Sequence, residues 1–355
     1  MAIIRKKDKM ASYLLEILKD LLTDLIKLII TGGVVWGVAL FGYYLKRNEM
    51  FVHNITRPSK RVFHCVNIDF EKIRICLEKE KFINVFKEEE QKQLLAHSTG
   101  KKIFNGDMVR LTKVDNNVCY VQEIKYFDFL TTNLVFKPAS SRLLSPKDAL
   151  WHMLFDEEFR IRNKLENRLK SKVAWYGKLK SFNEVLRVNE FANAIATSVV
   201  LRDNKDRILI VRRGDKNVVS SGIFAVSATG SIKVKDLDDK NPFVYAGCRE
   251  VIEELNLEVK LKVKDIIIVR QKYQPVVLME GKIEQSFNEL VEIIKKAKDY
   301  NDENTKMYAV PSKEVRGVVR KYKFTDTSTY QLVNSCSAIS WFFTKKRDIH
   351  KYEIK

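Results

Sequence analysis

Residues 228–257 read ATGSIKVKDLDDKNPFVYAGCREVIEELNL. Ala228-Thr229-Gly230 reads as a turn, a loop runs on to Pro242, and Phe243 to Leu255 reads as a helix. That helix contains Arg249-Glu250-Val251-Ile252-Glu253-Glu254. Glu250 and Glu254 are four residues apart and Glu253 is three from Glu250, so helical geometry places all three on one face. Adjacent like charges repel unless a cation sits among them, and hard divalent ions such as magnesium take carboxylate oxygens. Arg249 is spaced to pair with Glu253 and orient it. Val251, Ile252 and Leu255 supply apolar contacts to a sheet. Taken alone, the run reads first as a solvated glutamate face, so its neighbours decide.

Upstream, Phe191 to Leu201 is apolar and β-branched toward its end, Asp203-Asn204 provides a turn, and Arg207 to Arg213 is a short strand running into charge. Ile223 to Val226 is another short strand. Downstream, 286–298 and 327–343 read as helices packing on the sheet, and AISWFF near the end reads as a packing face.

The run Arg249-Glu250-Val251-x-Glu253-Glu254-x-x-Leu257 resembles the core of the Nudix box, Gly-x5-Glu-x7-Arg-Glu-U-x-Glu-Glu-x-Gly-U with U aliphatic. LRDNKDRILIVRRG and SGIFAVSATGS resemble what precedes the box in that superfamily, and Gly230 stands as its leading glycine. Tyr126 to Asn133 is similar to stretches that precede the fold in some bacterial members. The resemblance spans about residues 185–325. Three positions depart from the pattern. Gly230 to Arg249 is five residues longer than the family spacing, with KVKDLDDKNPF as the apparent insertion. The intermediate glutamate is replaced: counting back from Arg249 reaches Asn241, and counting on from Gly230 reaches Asp236. Asn256 stands for the terminal glycine, a mild change because asparagine tolerates the left-handed conformation of a helix end.

The resemblance implies an α/β fold, an α/β/α sandwich with a mixed sheet. It implies a pyrophosphohydrolase acting on a nucleoside diphosphate linked to another moiety. Glu250, Glu253 and Glu254 would be ligands to Mg2+ or Mn2+, completed by the Thr229 carbonyl. Glu253, Glu254 and Arg249 would carry catalysis, Arg249 by orienting Glu253. Gly230, Arg212 and Arg213 are the candidate substrate contacts. Glu280 and Glu284 are candidates for a further carboxylate from a later loop.

Toward the N-terminus, Leu28 to Leu45 reads LIITGGVVWGVALFGYYL, eighteen uncharged residues. At about 1.5 Å per residue this nearly spans a hydrocarbon core of roughly 30 Å. Tyr43 and Tyr44 fall where interfacial aromatics belong, and Lys46 and Arg47 follow. A transmembrane helix is expected, with membrane contact over 25–45. A signal peptide would have a shorter apolar region and a cleavage site, and a buried soluble helix would not favour Gly32, Gly33, Gly37 and Gly42. Residues 12–27 read as an amphipathic helix, lying on the membrane or pairing with a copy of itself to make a homo-oligomer. Positive charge flanks the span on both sides, so topology stays open. A single-pass protein of a bacterial inner membrane, with its C-terminal body in the cytoplasm, is the expectation.

Between these parts, Met108 to Val114 and Val118 to Lys125 alternate as strands around Asp115-Asn116-Asn117, which predicts a hairpin. Phe63 to Leu77 fits either strand or helix, and Glu78 to His97 reads as helical. Ser145-Pro146 starts a connector helix. The division expected is 1–50 (amphipathic segment and transmembrane helix), 51–145 (small α+β region), 146–184 (helical connector) and 185–355 (the box-bearing domain with C-terminal helices).

The chain has 355 residues, 45% of them apolar and 31% charged, which fits folded cores in more than one domain. Lys plus Arg exceed Asp plus Glu by 64 to 45, a net charge of +19, favouring an anionic partner such as a nucleotide derivative or a lipid surface. No basic block is long enough for a nucleic-acid tail, so nucleic acid is the less favoured partner. The five cysteines form no CxxC pair, which suits reduced thiols and argues against zinc. Three functions compete: a membrane-tethered pyrophosphohydrolase, a nucleotide-sensing effector of the same fold signalling through its membrane helix and, third, an RNA-end-processing enzyme suggested by the basic charge and by the Nudix decapping relatives. Membrane-anchored Nudix proteins acting in bacterial anti-phage defence resemble this domain order.

Overall fold

The computed structural model describes residues 62–89, 91, 104–133, 179, 181–213, 224–269, 273–299, 304–314 and 349–354. The expected membrane span, the amphipathic segment, the connector helix and the last predicted helix lie outside them. Among the described residues no helix is long and apolar enough to cross a membrane.

The strands are β1 (Val62–His64), β2 (Arg74–Leu77), β3 (Asp107–Asp115), β4 (Val118–Lys125), β5 (Ala196–Arg202), β6 (Arg207–Arg213), β7 (Phe224–Ala225), β8 (Ala228–Ser231), β9 (Leu261–Val269), β10 (Gln274–Lys282) and β11 (Asn304–Pro311). The helices are α1 (Tyr126–Thr131), α2 (Phe182–Leu186), α3 (Pro242–Leu255) and α4 (Phe287–Ile294), with 3-10 turns at Val234–Asp238 and Ile349–Tyr352. The class is mixed α/β. The larger sheet runs β1-β9-β10-β5-β6-β11, with β7 beside β6 and β8 beside β5. β10 lies parallel to β5 and antiparallel to β9. Flanked on both sides, it is buried nearly throughout and reads PVVLM rather than alternating.

β5 forks. Its start pairs with β8, Thr197 opposite Gly230 and Ser198 opposite Thr229, while its end pairs with β6 through Arg202 and Ile208. The fork corrects the expectation of a turn at 228–230. Small residues there invite a turn reading, but their backbone groups are taken up by β5. The predicted hairpin is β3–β4, turned through left-handed Asn116 and Asn117. With β2 it makes a second, three-stranded sheet.

The helix expected over 78–97 is absent across 78–87. There Glu78 N–H continues the pairing of β2 by donating to the Val121 carbonyl at 2.8 Å, and Asn84 Oδ1 caps the Phe86 N–H at 2.9 Å. Phe86, 1% exposed, is drawn into the core instead of lining a helix face.

The two sheets share backbone bonds. Val109 N–H donates to the Ile232 carbonyl at 3.1 Å, and the Val109 carbonyl accepts from Ile195 N–H at 2.9 Å. Nearby, Asn133 accepts from Asn193 N–H at 2.9 Å and donates to the Tyr273 carbonyl at 3.0 Å. One apolar core runs from Val109, Leu111 and Val121 to Val199, Leu209, Val251, Met279 and Leu290. α3 and α4 share that core with one face of the larger sheet. Ile267, Val276 and Leu278 lie buried on the opposite face. The expected sandwich would place a helical layer there, and no helix among the described residues supplies buried side chains to that cluster.

Candidate active site

α3 is built to be held at both ends. Asn241 accepts the Val244 N–H at its start, Pro242 occupies the first turn, and Asn256 closes the end with φ 54°. Phe243, Ala246, Gly247, Glu250, Val251, Glu254 and Leu255 form its buried stripe, at helical spacing. Gly247 lets the helix lie on the sheet, because a Cβ there would come within 2.6 Å of Met279 Sδ.

Two glutamates therefore sit inside an apolar stripe. Glu250 is 8% exposed and Glu254 is 5% exposed. Glu250 lies over Gly230: a Cβ on that glycine would fall 1.8 Å from Glu250 Cδ. Glu254 Oε1 accepts from the Thr229 N–H at 3.1 Å. The strand β8 is thus the floor on which both carboxylates rest. Glu253 stands nearer solvent.

Arg249 ties the cluster together. Its Nε donates to Asp236 Oδ1 at 3.0 Å. Nη1 donates to Glu250 Oε1 at 2.6 Å and to Glu253 Oε2 at 3.1 Å. Nη2 donates to the Ser231 carbonyl and to Asp236 Oδ2, both at 2.9 Å. Burial opposes the charge on Arg249, but Asp236 and Glu250 outweigh it and hold the guanidinium above its usual range. Burial pushes the Glu250 carboxyl up, against the pull of Arg249, and the neighbouring Glu253 adds to the rise.

Asp236 is fully buried, and it rather than Asn241 faces Arg249. Counting on from Gly230 reaches the residue that pairs with the arginine; counting back from Arg249 reaches the helix cap. The five extra residues fall after Asp236, in the stretch leading to Asn241. Sequence reasoning passed over Lys233, whose Nζ stands 3.7 Å from Glu253 Oε2. Its signal was a lysine three residues past the leading glycine, hidden among the other charges of the loop.

The other candidates are not drawn into this cluster. Arg212 is exposed on β6, opposite Phe224 and Lys306. Arg213 ends β6, and only its backbone is described. Glu280 follows Met279 on β10 and so faces away from α3; it pairs with Arg202 and Lys264. Glu284 is exposed beyond the end of β10. Burial pushes the Cys65 thiol up to about 11 and the Cys119 thiol to about 12, so neither is an activated nucleophile.

Among the described residues, no three ligating side chains converge as a metal-binding group. Arg249 holds one oxygen each of Glu250 and Glu253, and Thr229 holds one of Glu254. The donor chemistry nonetheless fits a hard divalent ion: the donors are carboxylate oxygens, and a desolvated Glu250 beside Glu253 is stabilised by any cation placed between them.

No protein-family model matches the chain, and no curated protein matches it at a significant level. Solved structures are similar over part of it. DR0079 from Deinococcus radiodurans is 14% identical, with 36% of this chain and 73% of that one covered and a TM-score of 0.28. The MutT protein from Methanosarcina mazei Go1 is 14% identical over 43% of this chain and 96% of that one, with a TM-score of 0.27. Tm1382, described as a candidate Nudix hydrolase, is 16% identical over 40% of this chain and 71% of that one, with a TM-score of 0.26.

Proposed function

We propose that this chain is a metal-dependent pyrophosphohydrolase of the Nudix type, cleaving a nucleoside diphosphate linked to another group. The observation that carries the proposal is the seat of Glu250. Its carboxylate fills the space over Gly230, Glu254 is fastened to the next residue of the same strand, and Arg249 ties Glu250 and Glu253 to Asp236. A solvated glutamate face needs none of these partners.

Glu250, Glu253 and Glu254 would hold Mg2+ or Mn2+. Bound there, the ion supplies charge neutralisation at phosphate oxygens and acidifies a water. The protein's own contribution is position. β8 fixes the two buried carboxylates, Arg249 restrains Glu253, and the apolar core beneath α3 excludes bulk water from one side. The stretch 28–45 would tether this body to a membrane, a reading supported by its sequence.

The test is hydrolysis by the full chain of a panel of nucleoside diphosphate sugars, dinucleoside polyphosphates, NAD, capped RNA and cyclic oligonucleotides, with and without Mg2+. Partners one shell removed from a metal already cost 10–100-fold, so Glu253→Gln and Glu254→Gln are expected to lower turnover by about 100-fold or more. Turnover indifferent to both substitutions would place catalysis elsewhere. No turnover, with tight binding of one nucleotide, would make the chain a membrane-coupled sensor.

A further inference from the structure

Arg249 has no donor to spare. A guanidinium carries five N–H groups, and all five are engaged: two with Asp236 and one each with Glu250, Glu253 and the Ser231 carbonyl. It is 8% exposed. The arginine of the cluster is therefore a brace for the carboxylates and cannot also receive an anionic substrate without breaking a bond it already makes. Any side-chain cation that meets a phosphate brought to these carboxylates must therefore come from elsewhere.

Lys233 meets that need. Its side chain is 40% exposed, and its ammonium stands 3.7 Å from Glu253 Oε2, too far for a hydrogen bond but within ionic reach. Its three N–H donors thus face Glu253 across a loose ion pair, with the Glu250 carboxylate also within range of its charge. The backbone beneath is fixed: Lys233 N–H donates to Asp236 Oδ2 at 2.8 Å, and its carbonyl accepts from Asp236 N–H at 3.0 Å. Asp236 in turn grips Arg249. One buried carboxylate therefore sets both the brace and the position from which the lysine reaches out. A fixed backbone, an ammonium held only by a loose ion pair and a partly exposed side chain are what a phosphate contact requires.

We propose that Lys233 is a substrate-binding residue that receives the phosphate adjoining the one held at the carboxylates. This rests on the reading of the carboxylates as a divalent-metal site. On a bound diphosphate, one phosphate would be held through the ion at Glu250, Glu253 and Glu254, and its neighbour would accept from Lys233 Nζ.

The experiment is calorimetric titration of the full chain with imidodiphosphate, a diphosphate that resists hydrolysis, in Mn2+. Wild type is compared with Lys233→Met, Lys233→Arg and, as a control on the same turn, Lys235→Met. A separate titration with Mn2+ alone compares wild type with Glu250→Gln and Lys233→Met. Lys233→Met is expected to weaken imidodiphosphate about tenfold, the scale of one charge-assisted hydrogen bond, with Lys233→Arg recovering part and Lys235→Met unchanged. Inorganic phosphate should lose much less. Equal imidodiphosphate affinity in wild type and Lys233→Met overturns the proposal, as does a wild type that does not bind it. Tighter Mn2+ binding in Lys233→Met with unchanged imidodiphosphate affinity also overturns it, and makes the lysine a stand-in for the ion. If Mn2+ binding ignores Glu250→Gln while the lysine effect stands, the metal reading fails and the phosphate contact survives.

Discussion

At Gly230 an added Cβ would sit 1.8 Å from Glu250 Cδ, with both carboxylate oxygens within 2.3 Å. The glycine is required by a neighbour's side chain, since its strand backbone suits any residue. Gly230→Ala must push the carboxylate off β8 or open the β8–α3 contact, at about 1–3 kcal/mol of overpacking. Denaturant melts should show that loss, and adding Glu250→Ala should recover most of it, because the three atoms nearest the added Cβ all belong to Glu250. A double variant as unstable as the single one would mean that Gly230 matters for another reason. Asp236→Asn removes one of the three carboxylates paired with the buried Arg249 and should cost less than the ~3–5 kcal/mol of a fully orphaned buried charge, because Glu250 and Glu253 remain. It should also loosen Glu253, so turnover should fall even at temperatures where the variant stays folded. A fall in stability with kcat untouched would confine Asp236 to folding.

At the scale of the element, α3 depends on asparagine at both ends. Asn241→Ala removes the acceptor for Val244 N–H and should cost about 1 kcal/mol. Asn256 holds φ 54°, and its Nδ2 donates to the Ile293 carbonyl of α4 at 3.2 Å. Asn256→Ala forces a β-carbon into the left-handed region and should cost about 1–2 kcal/mol, whereas Asn256→Gly relieves the backbone and loses only the exposed tether. Thermal melts of the three variants rank these effects. Alanine tolerated as well as glycine at 256 would show that the tether, and not the backbone, holds that end. The element also shows why the loop before it can lengthen: the extra residues fall between Asp236, fixed to Arg249, and Asn241, fixed to α3, so neither anchor moves.

Across the molecule, the small sheet and the larger one are one hydrogen-bonded and apolar unit. β3 bonds to the strand entering β5 and to the residue leaving β8, and its inward side chains share the core under α3. The amides of Val109, Leu111, Ile195 and Ile232 should therefore exchange with solvent as one set, with similar protection. Val109 and Leu111 exchanging well before Ile195 would instead make the β3–β4 hairpin a separately opening unit.

Local rules wrote much of this in the sequence. Helical spacing put Glu250, Glu253 and Glu254 on one helix, alternation marked β3 and β4, and Asn116-Asn117 marked their turn, because each depends on residues close in the chain. Three features were settled only by tertiary contact. Ala228-Thr229-Gly230 became a strand because β5, thirty residues earlier, offered its edge. Residues 78–87 stayed out of a helix because Glu78 extends the β2–β4 pairing and Phe86 is drawn into the core. Asp236, not Asn241, became the partner of Arg249, since spacing alone cannot say on which side of an anchor a loop has grown. The site takes its form there: the sequence supplies the carboxylates, and long-range pairing decides what each one rests on.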